Sequence, residues 1–228
     1  MKRVAVIIPA RYGAVRFPGK PLADLAGKPI IAHVVERALQ APGVDLVAVA
    51  TDDDRIAAAA KKAGADAVMT GPANTGTDRV SEAARKLADK PDIVFNVQGD
   101  EPLIDPAALG LLVEAMRQEP IDMGTLARPL ELDELDRAQV VKVVCDARGD
   151  ALYFSRAAIP HQREGGMSPL ARAHIGVYAF SYDFLQTFSR LPPGKLEQSE
   201  SLEQLRALEN GYKIRVVDTT YRGFGIDK

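Results

Sequence analysis

Residues 93–102 read Ile93-Val-Phe-Asn-Val-Gln-Gly-Asp-Glu-Pro102, a near-continuous apolar run that stops at a polar turn. A run without polar alternation suits a strand covered on both faces, as in a buried parallel sheet. Ligands of such sheets bind outside the carboxyl ends of the strands, so Gln98, Gly99 and Asp100 stand where a site is expected. A second run, Val4-Ala-Val-Ile-Ile8, ends in Pro9 and a basic loop, and the same rule marks it. Around these two strands the pattern alternates between short β-branched runs and longer Ala/Leu/charged segments. It predicts helices over 30–40, about 77–87 and 106–118, and strands over 46–50 and 67–69. Between these two strands, Asp52 or Asp53 is suited to cap a helix that Gly64 closes.

Beyond residue 118 the pattern changes. Segments 140–146 and 151–155 read as two strands joined by a glycine-containing turn. A long loop, 159–171, leads to a strand over 174–180, helices near 182–189 and 196–210, and a strand over 213–217. The expectation is one α/β domain, 1–228, Rossmann-like, with a mostly parallel twisted sheet flanked by helices and an antiparallel insertion over about 139–180.

Composition narrows the function. Hydrophobic residues make up 46% of the 228, enough for a core. A net charge of -2, with no run of like charges that suggests a polybasic arm, argues against a nucleic-acid partner. Cys145 is the only cysteine, and His33, His161 and His174 lie far apart, which excludes an intramolecular disulfide framework and a Cys/His zinc motif. The apolar run 4–10 is short for a signal sequence and no stretch is long enough to span a bilayer, so a cytoplasmic protein without membrane insertion is expected.

Two segments can carry chemistry. Pro9-Ala-Arg-Tyr-Gly-Ala-Val-Arg-Phe-Pro-Gly-Lys20 combines glycines with Arg11, Arg16 and Lys20, a composition that lets backbone N–H groups and cations meet phosphate. It is not a Walker A loop, because five residues separate Gly13 from Gly19 and Pro21 stands where a hydroxyl is required. The alternative is an irregular surface loop with solvated cations. In Gln98-Gly-Asp-Glu101 the carboxylates offer the oxygen ligands that magnesium takes, or Asp100 caps the following turn. Gly76-Thr-Asp-Arg79 reads as a helix N-terminus, or as backbone N–H groups offered to a base or carboxylate.

Taken in order, Ile7-Ile-Pro-Ala-Arg-Tyr, Arg16-Phe-Pro-Gly-Lys-Pro-Leu, Gly76-Thr-Asp-Arg, Asn96-Val-Gln-Gly-Asp-Glu-Pro, Val141-Lys-Val-Val, Ala151-Leu-Tyr-Phe-Ser-Arg, His174-Ile-Gly-Val-Tyr, Leu202-Glu-Gln-Leu-Arg and Gly225-Ile-Asp resemble the sugar-activating nucleotidyltransferases. Among those the resemblance is closest to the CMP-Kdo synthetases, and it covers essentially the whole chain. It implies a magnesium-dependent enzyme that transfers CMP from CTP to 3-deoxy-manno-octulosonate (Kdo) for lipopolysaccharide biosynthesis, working as a homodimer through the antiparallel lobe.

The resemblance also assigns roles. Ala10, Arg11, Gly13, Arg16, Lys20, Gly76 and Thr77 would bind the nucleotide, with Arg11, Lys20 and Asp100 carrying catalysis. Asp100 and Asp227 would hold magnesium. Arg79, Gln98, His174, Tyr178, Glu203 and Gln204 would bind the sugar, the last two from one helix; without the resemblance His174 reads as a structural strand histidine. The chain departs from the family at Ala14-Val15, where Ser-Thr is usual, and it stops at Lys228, where relatives continue into a further helix. Other acceptors, such as 8-amino-Kdo or another acidic sugar, fit the same motifs. A non-catalytic nucleotide-binding regulator is the rival of another class, and a dinucleotide oxidoreductase is disfavoured because no GxGxxG is present.

Overall fold

The computed structural model describes residues 1–13, 17–223, 225 and 226. In chain order the elements are β1 (Val4–Ala10), the two-residue strands β2 (Asp24–Leu25) and β3 (Lys28–Pro29), α1 (Ile30–Leu39), β4 (Leu46–Thr51), α2 (Asp54–Lys62) and β5 (Asp66–Met69). Next come α3 (Gly76–Lys86), β6 (Ile93–Asn96), α4 (Pro106–Gln118), β7 (Met123–Pro129), β8 (Lys142–Cys145) and β9 (Ala151–Ser155). The chain finishes with β10 (Arg172–Ser181), α5 (Tyr182–Phe188), α6 (Lys195–Glu200), α7 (Leu205–Glu209) and β11 (Ile214–Asp218).

The sheet runs β11-β7-β10-β6-β1-β4-β5. β1 lies between β4 and β6, parallel to both, and β5 extends this parallel block. β10 is antiparallel to both β6 and β7, and β11 is parallel to β7. The hairpin β8-β9 joins at the start of β10, where β8 pairs with Arg172 and Ala173. The antiparallel strand β10 therefore passes through the middle of the sheet, although it lies in segment 139–180.

Alternation along β1 builds the core. Val4, Val6 and Ile8 join residues of α1, α2 and α4, including Val34, Ile56 and Leu109, in one buried cluster. Ala5 and Ile7 join Val80 and Ala84 of α3 and Phe184 of α5 in the other. Each such side chain removed from water stabilises the fold by about 1.5–3 kcal/mol, so helices on both faces hold the ends of β1 and β6 in fixed relation. Helix starts follow the capping residues: Asp53 accepts from the N–H groups of Arg55 and Ile56, and Asp105 accepts from that of Ala107.

Two expectations are corrected. Segment 119–139 carried no predicted strand, yet β7 is central. Its Met-Gly-Thr-Leu-Ala-Arg-Pro composition is poor in β-branched residues, and tertiary packing overrides the weak propensity. Gly124 is required here by close approach, since a Cβ would stand 2.9 Å from Leu112 Cδ1 of α4. Segment 196–210 is also not one helix: α6 ends at Glu200, and Ser201 adopts left-handed φ 53. No glycine or proline marks that break. Arg156 reaches it from outside: its Nε donates to Glu200 O at 2.7 Å and its guanidinium Nη2 to Ser201 O at 3.2 Å, taking the place of intrahelical donors.

Candidate active site

A cavity of about 740 Å³ opens at the carboxyl ends of β1 and β6. Its floor is the juncture of the two strands, where a Cβ on Gly99 would meet Pro9 O at 3.0 Å. Glycine is thus needed at Gly99 for the backbones to approach this closely. The basic loop is closed on itself by the Gly19 N–H donating to Tyr12 O at 2.8 Å. Ala10, Arg11 and Lys20 line one wall.

Lys20 Nζ lies 2.7 Å from Asp100 Oδ2, with the two side chains 14% and 37% exposed. Lys20 is held rather than merely solvated, and Asp105 caps α4, which leaves Asp100 available at the cavity. Ile226 N–H donates to Asp100 O at 3.0 Å, so the last described residue returns to the same turn. Next to it, burial chiefly, and the charge of Asp100 secondarily, push the Glu101 carboxyl up to about 7, against a hydrogen bond from Tyr221 that lowers it.

The facing wall comes from α3 and from the break between α6 and α7. Gly76 and Arg79 line the cavity, as do Gln98 and Glu203. Helix α3 starts in a reciprocal capping box between Thr75 and Asp78, so Thr75 and not Thr77 is the cap. Arg79 is 4% exposed, and its guanidinium donates to Thr70 Oγ1 at 2.5 Å and to Asp52 Oδ2 at 2.8 Å. Glu203 and Gln204 were expected within one helix; both lie in the break, which frees their side chains from a common helical direction.

Thr77, 1% exposed, turns its hydroxyl to Glu203 Oε2 at 2.6 Å. Burial raises the Glu203 carboxyl above its ordinary range, against hydrogen bonds from Thr77 and Thr75. Among the described residues, Gly13, Thr77, His174, Tyr178 and Gln204 do not line the cavity. The last three adjoin it as a chain: the His174 and Tyr178 rings are 5.5 Å apart, and Tyr178 donates from its hydroxyl to Gln204 Oε1 at 3.0 Å. Burial lowers His174 to about 3, so the imidazole is neutral near pH 7, with Nε2 2.9 Å from Thr125 Oγ1. The Tyr178 hydroxyl is pushed up by burial first and by the Glu203 and Glu101 charges next. Arg16 and Asp227 lie outside the described residues.

The comparisons bear on what this arrangement is. A cytidylyltransferase family model matches residues 5–214. The 3-deoxy-manno-octulosonate cytidylyltransferase of Anaeromyxobacter sp. (strain Fw109-5) is 71% identical over 227 residues, covering 100% of this chain and 93% of its own. The chain belongs to the 3-deoxy-manno-octulosonate cytidylyltransferase family. A cytidylyltransferase of the same description from Nitratidesulfovibrio vulgaris (strain DP4) is 52% identical, covering 97% of this chain and 90% of its own. The structure of CMP:2-keto-3-deoxy-manno-octonic acid synthetase complexed with CTP superposes with a TM-score of 0.92 at 44% identity, covering 99% of this chain and 93% of that one. At 15% identity and a TM-score of 0.66, the 4-diphosphocytidyl-2C-methyl-D-erythritol synthase of Anaerococcus prevotii shares the fold.

Within this cytidylyltransferase, sequence reasoning missed Phe17, Glu197, Gln198 and Ser201 as cavity residues. The available signal was the polar run Gln198-Ser-Glu-Ser201 just before Leu202-Glu-Gln-Leu-Arg, which reads equally well as a solvated helix face. Helix α6 is held there by α7: Glu197 accepts from Arg206 Nε at 2.8 Å and from Nη2 at 2.6 Å. Such a bidentate pair fixes orientation as well as distance.

Proposed function

We propose that the protein transfers CMP from CTP to the anomeric hydroxyl of Kdo, releasing pyrophosphate. The observation that carries this reading is the Lys20–Asp100 contact of 2.7 Å at the strand ends, in a chain of this family. It puts a cation suited to phosphate beside a carboxylate suited to a hard metal ion, and each neutralises the other before the nucleotide arrives.

In the reaction the sugar hydroxyl gives up its proton to water, its oxygen forms a bond to the α-phosphorus, the bond from that phosphorus to the β-phosphate bridging oxygen breaks, and the electron pair leaves with pyrophosphate. Arg11 and Lys20 stabilise the negative charge that moves toward the leaving group. Gln98 and Glu203, together with Arg79, offer the polar wall a polyhydroxylated acid requires. His174, neutral at pH 7, serves as a hydrogen-bonding group rather than a cation. Holding both substrates in one cavity removes a large entropic part of the barrier.

Magnesium fits the residues present. Among the described residues no group of three or more His, Cys, Asp or Glu could hold a metal ion by itself. Magnesium does not require one, since it takes one or two carboxylates and completes its shell with phosphates and water. Asp100 would hold it, and Asp227 is the second ligand that the resemblance supplies. Bound there, the ion would neutralise phosphate oxygens and orient the leaving group. A homodimeric cytoplasmic enzyme of lipopolysaccharide biosynthesis completes the proposal; among the described residues no helix is long and apolar enough to cross a membrane.

An acceptor panel tests the assignment. With CTP and magnesium, Kdo is expected to support turnover at a kcat/KM at least about tenfold above 8-amino-Kdo and sialate, the size of a lost hydrogen-bonding match. A higher kcat/KM for 8-amino-Kdo would move the acceptor, and CTP binding without any acceptor-dependent pyrophosphate would favour a regulator.

A further inference from the structure

The polar chain that ends at Glu203 has a direction. Gln98 Nε2 donates to Asn96 Oδ1 at 3.4 Å, Asn96 Nδ2 donates to Thr77 Oγ1 at 3.1 Å, and the Thr77 hydroxyl donates to Glu203 Oε2 at 2.6 Å. Asn96 and Thr77 are each 1% exposed. A hydroxyl has one proton, and with Asn96 donating into its oxygen that proton is committed to the carboxylate. The Thr77 hydroxyl is therefore turned to Glu203 and Thr77 does not line the cavity, although it lies in the first turn of the helix that does.

Glu203 needs such a support. It sits in the break between α6 and α7, where helical geometry does not orient its side chain. Its other oxygen, Oε1, has no hydrogen-bond partner among the described residues, and the nearest cation in an ion pair with it, Arg206, is 4.0 Å away. A carboxylate that Thr77 and Thr75 hydrogen-bond while Oε1 stays unpaired retains acceptor capacity for a sugar hydroxyl, and a buried unpaired oxygen gains by finding that donor.

We propose that Thr77 and Asn96 are positioning residues that orient the Glu203 carboxylate toward the acceptor sugar, so that this part of α3 serves the acceptor and not the nucleotide triphosphate. The proposal rests on the cytidylyltransferase reading above and adds to it a pair of side chains from β6 and α3 that never touch the reacting atoms.

Steady-state pyrophosphate release by the full chain tests it, with CTP and Kdo varied in turn. Thr77→Val, which keeps the shape and removes the hydroxyl, is expected to raise KM for Kdo about tenfold while KM for CTP stays within about twofold. Thr77→Ser restores the donor and is expected to return KM for Kdo to within about threefold of the wild type. Asn96→Asp, which offers the hydroxyl a competing acceptor, is expected to reproduce the Thr77→Val pattern. Adding Thr77→Val to Glu203→Gln is expected to cost less than it does alone, because the two act through one contact.

A rise in KM for CTP equal to that for Kdo, an unchanged KM for Kdo, or failure of Thr77→Ser to rescue would overturn the proposal. Thr77→Ala is the second hydroxyl-free variant if Thr77→Val does not fold. Wild-type protein without Kdo-dependent release would overturn the functional reading together with this one, whereas an active wild type with a flat variant series overturns only the positioning role.

Discussion

Lys20 and Asp100 are 80 positions apart in the chain and 2.7 Å apart in space. The lysine side chain is 14% exposed and that of the aspartate 37%, and a single pair so open to water contributes about 1 kcal/mol or less to folding. Under the proposed function its use is chemical. Asp100→Asn is expected to lower kcat by at least about a hundredfold, while the melting temperature moves by only a few degrees, about what loss of 1 kcal/mol produces. Near-wild-type turnover would remove Asp100 from the metal site. Both residues were legible in the sequence because each follows an apolar strand, and the strand ends are where ligands collect. The link from Thr77 to Glu203 was not, since nothing in a sequence tells which of two polar residues 126 positions apart share a proton. Thr77 read as part of a helix start whose backbone could meet the nucleotide; its hydroxyl donates to Glu203.

Strand β7 and the α6–α7 break are set by contacts from other parts of the chain. Arg128 at the end of β7 is clamped by Glu134, its guanidinium donating to the two carboxylate oxygens at 2.7 and 2.6 Å. Those hydrogen bonds hold the Glu134 carboxyl well below its ordinary 4.5, at about 2. A folded-state pKa below the unfolded one stabilises the protein above pH 4.5, and that contribution is lost as the pH falls toward about 2. Urea unfolding is expected to find Glu134→Gln less stable than the wild type by roughly 1–3 kcal/mol at pH 7, with the gap narrowing by pH 3. A gap that does not change with pH would mean the carboxylate is not held this way. Helices α1 to α4 were readable from their periodicity, and α2 also from its Asp53 cap, which acts through neighbours in sequence. The break at Ser201 was not readable, because Arg156 acts from 44 and 45 residues away on the Glu200 and Ser201 carbonyls.

The parallel block β5-β4-β1-β6 gathers the basic loop and the Asp100 turn at one edge, and antiparallel β10 brings His174 and Tyr178 alongside from the second half of the chain. One cavity can then serve a triphosphate from one wall and an acidic sugar from the other. The like charges of the two substrates are the physical reason for proposing a divalent ion beside the cations. Removal of divalent ions with EDTA is accordingly expected to stop turnover, and added magnesium to restore it, without unfolding the protein; turnover that persists in EDTA would exclude the metal-assisted reading. The alternation of strands and helices made the layered fold predictable, and the ordered motifs made the family recognisable, whereas the placement of β10 inside the sheet depended on pairing that β7 supplies. The decisive experiment is phosphorus NMR of the protein with CTP, magnesium and Kdo, followed in time, with ATP, GTP and UTP in parallel. The expected result is a phosphodiester signal of CMP-Kdo growing in step with pyrophosphate, from CTP alone among the four and only when Kdo is present; pyrophosphate without that diester, or no change in CTP, would contradict the assigned reaction.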